Sequence, residues 1–204
     1  MKRIENKDIP RHEPYNPLEK RNIGENIVKA LLEKPLGSLP PSPFIGAGVY
    51  AIYHTGCDPL YGLLSDTKIP VYVGKAVPAG ARKGNVSTNS TQGCALYNRL
   101  KQHADSIAAA GNLNLNDFRC RDLAVDDIWI PLAETLLIEK FQPVWNVIVE
   151  GFGNHDPGKG RHNQQRSAWD TLHPGRQWAL RLQPSELDAG ELLEKIKHFH
   201  TTIH

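Results

Sequence analysis

The sequence predicts an α/β (α+β) domain, a small β-sheet flanked by helices, and two observations carry that prediction. Residues 48–53 and 70–74 are short runs of β-branched and aromatic residues bounded by turn formers, as neighbouring strands require. Around them lie stretches with apolar residues at helical spacing, so the elements follow the order β, β, α, β, α.

Taken in order, residues 1–21 are polar, with little periodicity, and read as an arm. From Asn22 the positions Ile23, Ile27, Val28, Leu31 and Leu32 repeat at helical spacing until Pro35 stops them. Residues 35–43 hold four prolines and read as a stiff connector into the first strand. The connection 54–69 is longer than a tight hairpin needs. Residues 76–93 are rich in Gly, Ala, Ser, Thr and Asn and read as a flexible loop without the GxxxxGK[ST] order of a phosphate-cradling loop. Residues 95–110 form a helix with the stripe Leu96, Leu100, His103 and Ile107, and Arg99 shares a face with His103. A further strand is expected within 118–130 and a helix over 131–141, with Pro131 in its first turn. The chain then divides into an arm, helix and connector (1–45), a core (46–148) and a C-terminal extension (149–204), one compact unit overall.

Composition narrows the class. In 204 residues, 40% hydrophobic and 23% charged content excludes wholesale disorder, so function rests on local features. The charged start and the lack of any run near 18 apolar residues predict a cytoplasmic protein that does not span a membrane. Cys57, Cys94 and Cys120 are odd in number and far apart, which excludes a disulfide framework and a CxxC zinc pattern. His198 and His200 read as a solvated tail. The formal charge of +2 is unevenly spread. Lys75, Arg82, Lys83, Arg99 and Lys101 fall in a segment without a carboxylate, and Lys159, Arg161, Arg166, Arg176 and Arg181 face only Asp156 and Asp170. Two basic segments in an otherwise acidic chain suit a polyanion-binding face, with solvated loops as the ordinary alternative.

Several side chains in the core carry chemistry. Glu134 sits on a largely apolar helix with Pro131, Leu137, Ile130 and Ile138 three and four residues away, so its carboxylate must be protonated, paired or metal-bound. Arg99 and His103 stand one turn apart and can address one ligand, the arginine offering a bidentate fork for phosphate and the imidazole a proton acceptor near neutrality. Tyr50 and Tyr72 would act as bases only if nearby positive charge favoured phenolate. Gly48 and Gly74 would leave room for a nucleic-acid backbone. The ordinary alternatives are a helix-surface glutamate, a satisfied core histidine and core tyrosines. As an ordered set, these groups suit metal-dependent hydrolysis of a phosphodiester.

The set resembles the GIY-YIG nuclease superfamily. The resemblance runs through Gly48-Val49-Tyr50, Tyr72-Val73-Gly74, Arg99, His103, Glu134 and Asn146 in Pro143-Val144-Trp145-Asn146, over residues 46–148. Beyond them, residues 151–158, Trp169-Asp170 and residues 173–176 are similar to the type II restriction enzymes of this superfamily that cut the palindrome CCGCGG. Both triplets carry Val for the middle Ile, and the connection between them is longer than usual. The resemblance implies a GIY-YIG-type sheet, one Mg2+ held by Glu134, and Arg99 on the scissile phosphate. It also implies Tyr50 as general base with His103 taking its proton, Tyr72 orienting water, and Asn146 holding the site in shape. Double-stranded DNA is the implied substrate, with a homodimer at least on DNA and a cognate DNA methyltransferase as functional companion. Lys75, Arg82 and Lys83 are expected on the DNA backbone. Asn154, His155, Arg161, His162, Arg166 and Arg176 are expected to bind DNA from the extension, where such side chains can read purine edges. A repair or homing nuclease of the same superfamily and an inert DNA-binding protein are the alternatives. A helical or zinc DNA-binding module, usual in the former, is not visible, and the filled acid, base and metal positions argue against the latter.

Overall fold

The computed structural model describes residues 16, 18–78, 93–158, 160 and 163–203. The expectations for Arg82, Lys83, Arg161 and His162 lie outside these residues, as does most of the predicted loop 76–93.

Among the described residues, four antiparallel strands, β1 (Gly37–Ser38), β2 (Gly48–His54), β3 (Tyr72–Ala76) and β4 (Phe118–Ala124), form one sheet in the order β1-β4-β2-β3. Six α-helices among the same residues accompany it: α1 (Lys20–Leu32), α2 (Ala95–Ala109), α3 (Ile130–Phe141), α4 (Val144–Val147), α5 (Ala168–Leu172) and α6 (Ala189–Ile203). The fold is α+β, as the sequence predicts.

Strand β2 is buried along its whole length because both faces of the sheet are covered. Its period-two alternation sends Val49, Ala51 and Tyr53 into one apolar cluster with Leu31 of α1 and Ile130, Ala133 and Leu137 of α3. Tyr50 and Ile52 point the other way, into a larger cluster with Leu96, Leu100 and Ile107 of α2, Trp145, Phe152 and Trp169. Leu192, Ile196 and Phe199 of α6 belong to that same cluster, so the C-terminal extension and the sheet share one core.

Three elements differ from expectation. The strand begun at Phe118 ends at Ala124, because Asp126 and Asp127 follow and residues 127–129 turn as a 3-10 helix into α3. The proline-rich connector contributes the two-residue strand β1, registered with Cys120 and Arg119. His200 is not in a solvated tail but is 6% exposed on α6, whose apolar positions 192, 196 and 199 keep helical spacing among charged neighbours.

Strand β3 is an edge, and an edge exposes unpaired backbone groups. The segment around α4 closes it. Asn146 accepts from Val73 N–H through Oδ1 at 2.8 Å and donates to the Val73 carbonyl through Nδ2 at 2.9 Å, doing with one carboxamide what a further strand would do. Trp145 N–H donates to the Val71 carbonyl at 2.9 Å. Asn146 therefore fixes the strand that carries Tyr72.

Candidate active site

The candidate residues meet around the edge of β3. Tyr50 stands opposite Gly74 in the β2–β3 register, and its phenol lies across that glycine: a Cβ at position 74 would come 2.3 Å from Tyr50 Oη. At Gly48 a Cβ would come 2.1 Å from the Leu123 carbonyl oxygen. The room left by these glycines is thus filled by the protein's own atoms rather than offered to a nucleic-acid backbone.

Tyr50 Oη and His103 Nε2 are 2.7 Å apart and buried. The His103 imidazole is held neutral, well below its ordinary range, by burial first and then by the charges of Arg99 and its neighbours. In the tautomer with its proton on Nδ1, Nε2 accepts from the Tyr50 hydroxyl. Burial also drives the Tyr50 phenol well above its ordinary range, and the nearby Tyr72 pushes the same way. Arg99 pulls it down without outweighing burial, and Tyr72 is likewise raised by burial with Arg99 opposing. Positive charge alone therefore does not create a resting phenolate, contrary to the simplest sequence expectation. The groundwork for deprotonating Tyr50 is instead the neutral acceptor against its hydroxyl.

Glu134 approaches from the opposite face of the sheet. Lys75, which alternates with Gly74 on β3 and so points toward α3, forms a 2.7 Å ion pair with it. The carboxylate is 22% exposed and close enough to act electrostatically on both Tyr50 and Tyr72. Among the described residues, no group of three or more His, Cys, Asp or Glu is placed so that it could hold a metal ion. Glu134 thus offers one anionic oxygen donor group, with water and phosphate left to complete a coordination shell; that fits Mg2+, which keeps several waters, and does not fit a multidentate zinc cage. Lys75, expected on the DNA backbone, is committed to this carboxylate.

The loop from Gly151 to His155 forms a wall that the core motifs do not announce. Phe152 stacks on His103 with centroids 4.4 Å apart and an interplanar angle of 21°, and meets Tyr72 edge-on at 4.9 Å. The Gly153 carbonyl accepts from Arg99 Nη2 at 2.8 Å, and a Cβ there would come 2.6 Å from Tyr72 Oη. In the sequence, the signal for this close approach is the pair of glycines flanking an aromatic residue at 151–153.

Matching of protein families now identifies the chain, since the family model for the Eco29kI GIY-YIG domain covers residues 42–200. The protein belongs to that family. It is therefore a GIY-YIG nuclease domain of restriction-endonuclease type, a DNA-cleaving hydrolase. Comparison with curated proteins gives no match. The family match runs across the core and the extension alike, as does the larger apolar cluster.

Within this GIY-YIG domain, the described arginines of the extension are engaged by the protein's own carboxylates and carbonyls. Arg176, expected to bind DNA, is 4% exposed. Its Nε and Nη2 donate to Asp170 at 2.7 Å each, and further donations reach the carbonyls of Phe152, Asn154 and Gly151. Every direction of its fork is occupied inside the protein, so it holds the 151–154 backbone and does not face bases. Arg166 donates to the carbonyls of Ala179 and Leu180. Arg181 pairs with Asp156 at 2.9 Å. Asn154 and His155 are exposed, but the His155 ring lies against Arg99 at the active site rather than away from it. No helix among the described residues is long and apolar enough to cross a membrane.

Proposed function

We propose that this protein is a type II restriction endonuclease that uses Mg2+ to hydrolyse both strands of double-stranded DNA at a palindromic GC-rich site, CCGCGG. The observation that carries the hydrolytic reading is the buried 2.7 Å contact between Tyr50 Oη and His103 Nε2 beside Arg99 and Glu134. The site follows from the similarity of residues 151–158 and 173–176 to enzymes that cut that palindrome.

Bound at Glu134, Mg2+ would supply Lewis-acid stabilisation of charge developing on phosphate oxygens. The chain's own residues do the rest. Arg99 binds the scissile phosphate with its planar fork and stabilises the added negative charge. Water attacking phosphorus loses its proton to Tyr50 Oη as the phenolic proton passes to His103 Nε2, so no free phenolate need accumulate. The His103 ring is held in line by Phe152. Tyr72, 6.2 Å from Tyr50 between ring centroids, orients the attacking water. Asn146 keeps β3 in place, and Lys75 holds Glu134 until the substrate and metal arrive. The bond from phosphorus to the 3′-oxygen breaks and that oxygen takes a proton from solvent water, leaving 5′-phosphate and 3′-hydroxyl ends.

A palindrome presents the same bases to two copies related by a twofold axis, so a homodimer forms on DNA, each subunit cutting one strand. Such an enzyme acts in the cytoplasm beside a DNA methyltransferase that protects the host's own sites. The test is cleavage and binding of a CCGCGG duplex and of single-substituted duplexes, with the mass of the complex measured. Two subunits per duplex and both strands cut only in CCGCGG are expected. One subunit with one strand cut, or equal action on every duplex, would overturn this reading.

A further inference from the structure

Arg99 is a long, flexible side chain, yet its guanidinium is engaged before any phosphate arrives. Nη2 donates to the Gly153 carbonyl at 2.8 Å, and Nη1 donates to Gln102 Oε1 at 3.3 Å and closely contacts Nε2 of His155. Gln102 is exposed and rides on the same helix as Arg99, so it cannot anchor the guanidinium against the rest of the site. Gly153 and His155 can. They belong to the loop that Arg176 holds from behind through the carbonyls of Gly151, Phe152 and Asn154. These contacts take two N–H donors on Nη1 and one on Nη2, and the guanidinium also hydrogen-bonds with the Tyr50 and Tyr72 phenols. A planar fork held in one orientation presents its donors to a phosphate in a fixed direction.

We propose that His155 is a positioning residue of this nuclease site, its ring nitrogen and the Gly153 carbonyl together fixing the Arg99 guanidinium in the orientation that receives the scissile phosphate. The proposal rests on the phosphodiester reading above. It assigns His155 to the chemistry of the site rather than to reading bases. Burial first, and then the charges of Arg99 and of Arg176 behind the loop, push the imidazole below its ordinary range, and the neutral ring keeps a lone pair for Arg99. Gly153 complements it because the carbonyl can approach Arg99 only where no side chain strikes Tyr72.

Two measurements on the full-length protein test this. In the first, single-turnover cleavage of a saturating CCGCGG duplex with Mg2+ is compared with metal-free duplex affinity for wild type, His155→Ala, His155→Gln and Arg99→Lys, and for Arg99→Lys combined with His155→Ala. His155→Ala is expected to slow cleavage roughly ten- to a hundredfold, as loss of orientation by a fraction of an ångström to 1 Å does, with affinity changed less than about threefold. His155→Gln, whose carboxamide oxygen can accept from Arg99, recovers most of the rate, and His155→Ala adds no further loss on top of Arg99→Lys. A wild-type rate in His155→Ala, an equal extra loss in the Arg99→Lys background, or a loss of affinity confined to the cognate duplex would overturn the proposal. In the second measurement, the His155 ring is titrated by NMR in wild type and Arg99→Ala. Its titration point rises when Arg99 is removed; an unchanged titration would refute the contact irrespective of activity. A wild-type protein that cuts no duplex while this titration still depends on Arg99 would sink the nuclease reading, and the positioning role with it, but not the contact.

Discussion

Replacing Arg176 by alanine separates structural anchoring from base reading. Arg176 and Asp170 side chains are 3% and 2% exposed, and their pairing is bidentate, 2.7 Å at each contact. Alanine removes those bonds and the three to the 151–154 carbonyls, together with stacking on Trp169 and Trp178 at 4.6 Å. It also strands the Asp170 carboxylate in the core with the Ser167 hydroxyl as its remaining partner among the described residues. Breaking a buried pair from one side costs about 3–5 kcal/mol. For a domain of this length each kcal/mol shifts Tm by about 2–4 °C, so Arg176→Ala should melt roughly 6–20 °C lower. Thermal unfolding by circular dichroism measures this. Replacing both partners, Arg176→Met with Asp170→Leu, should return part of the loss because no charge is left unpaired. For whatever protein stays folded, discrimination between cognate and substituted duplexes should be kept, since Arg176 faces no base. A Tm within about 2 °C of wild type, or relaxed specificity at full stability, would refute this assignment.

Glu134→Gln should keep the fold and DNA binding and abolish Mg2+-dependent cleavage, read on agarose; normal turnover would end the metal-ligand assignment. Tyr50→Phe should lower the single-turnover rate at least about a hundredfold and, because its hydroxyl is buried against His103, also cost about 1–3 kcal/mol in urea denaturation; Tyr72→Phe should slow cleavage less, and the reverse order would exchange the roles of the two phenols. Gly74→Ala should push Tyr50 aside, since its Cβ would come 2.3 Å from Oη, and a displacement near 1 Å costs on the order of a hundredfold in rate. Stability should also fall in acid. Burial lowers His173 from 6.5 to about 3 while Tyr61 and Asn112 hold it, and His103 is lowered too, so the unfolded chain binds these protons first. Their contribution is fully present above pH 6.5 and declines as pH falls from 6.5 toward about 3, with His173 alone costing about 2 kcal/mol at pH 5. Urea midpoints at pH 5 and pH 7 check this, and equal midpoints would contradict it.

Much of the fold was legible because it is written in local periodicity. The stripe Leu96, Leu100, His103 and Ile107 fixes α2, and the β-branched triplets fix β2 and β3, within a residue or two of where they lie. The pairing of Tyr50 with His103 was foreshadowed by motif order, although no spacing rule joins positions 53 residues apart. What stayed hidden depends on tertiary contact. An arginine inside an acid-poor segment looks like a DNA ligand until Asp170, six residues away, is seen to take one edge of its fork and the 151–154 carbonyls the rest. Lys75 looked free for the same reason, its partner Glu134 lying on a helix reached only through β4. The 151–155 wall carries no chemistry in its own sequence except His155; its role comes from being pressed against His103, Tyr72 and Arg99 by the extension. Helix α6 was missed because charged residues between Leu192, Ile196 and Phe199 masked a narrow apolar stripe.

The central claim, that this chain is a metal-dependent site-specific nuclease, is tested most directly by digesting a plasmid of known sequence containing CCGCGG with the purified protein. Wild type and Glu134→Gln should be run side by side, with Mg2+ and with chelator. The account predicts discrete fragments ending at CCGCGG, bearing 5′-phosphates, only for wild type and only with Mg2+. Intact plasmid under every condition, or fragments that persist in chelator or in Glu134→Gln, would contradict it.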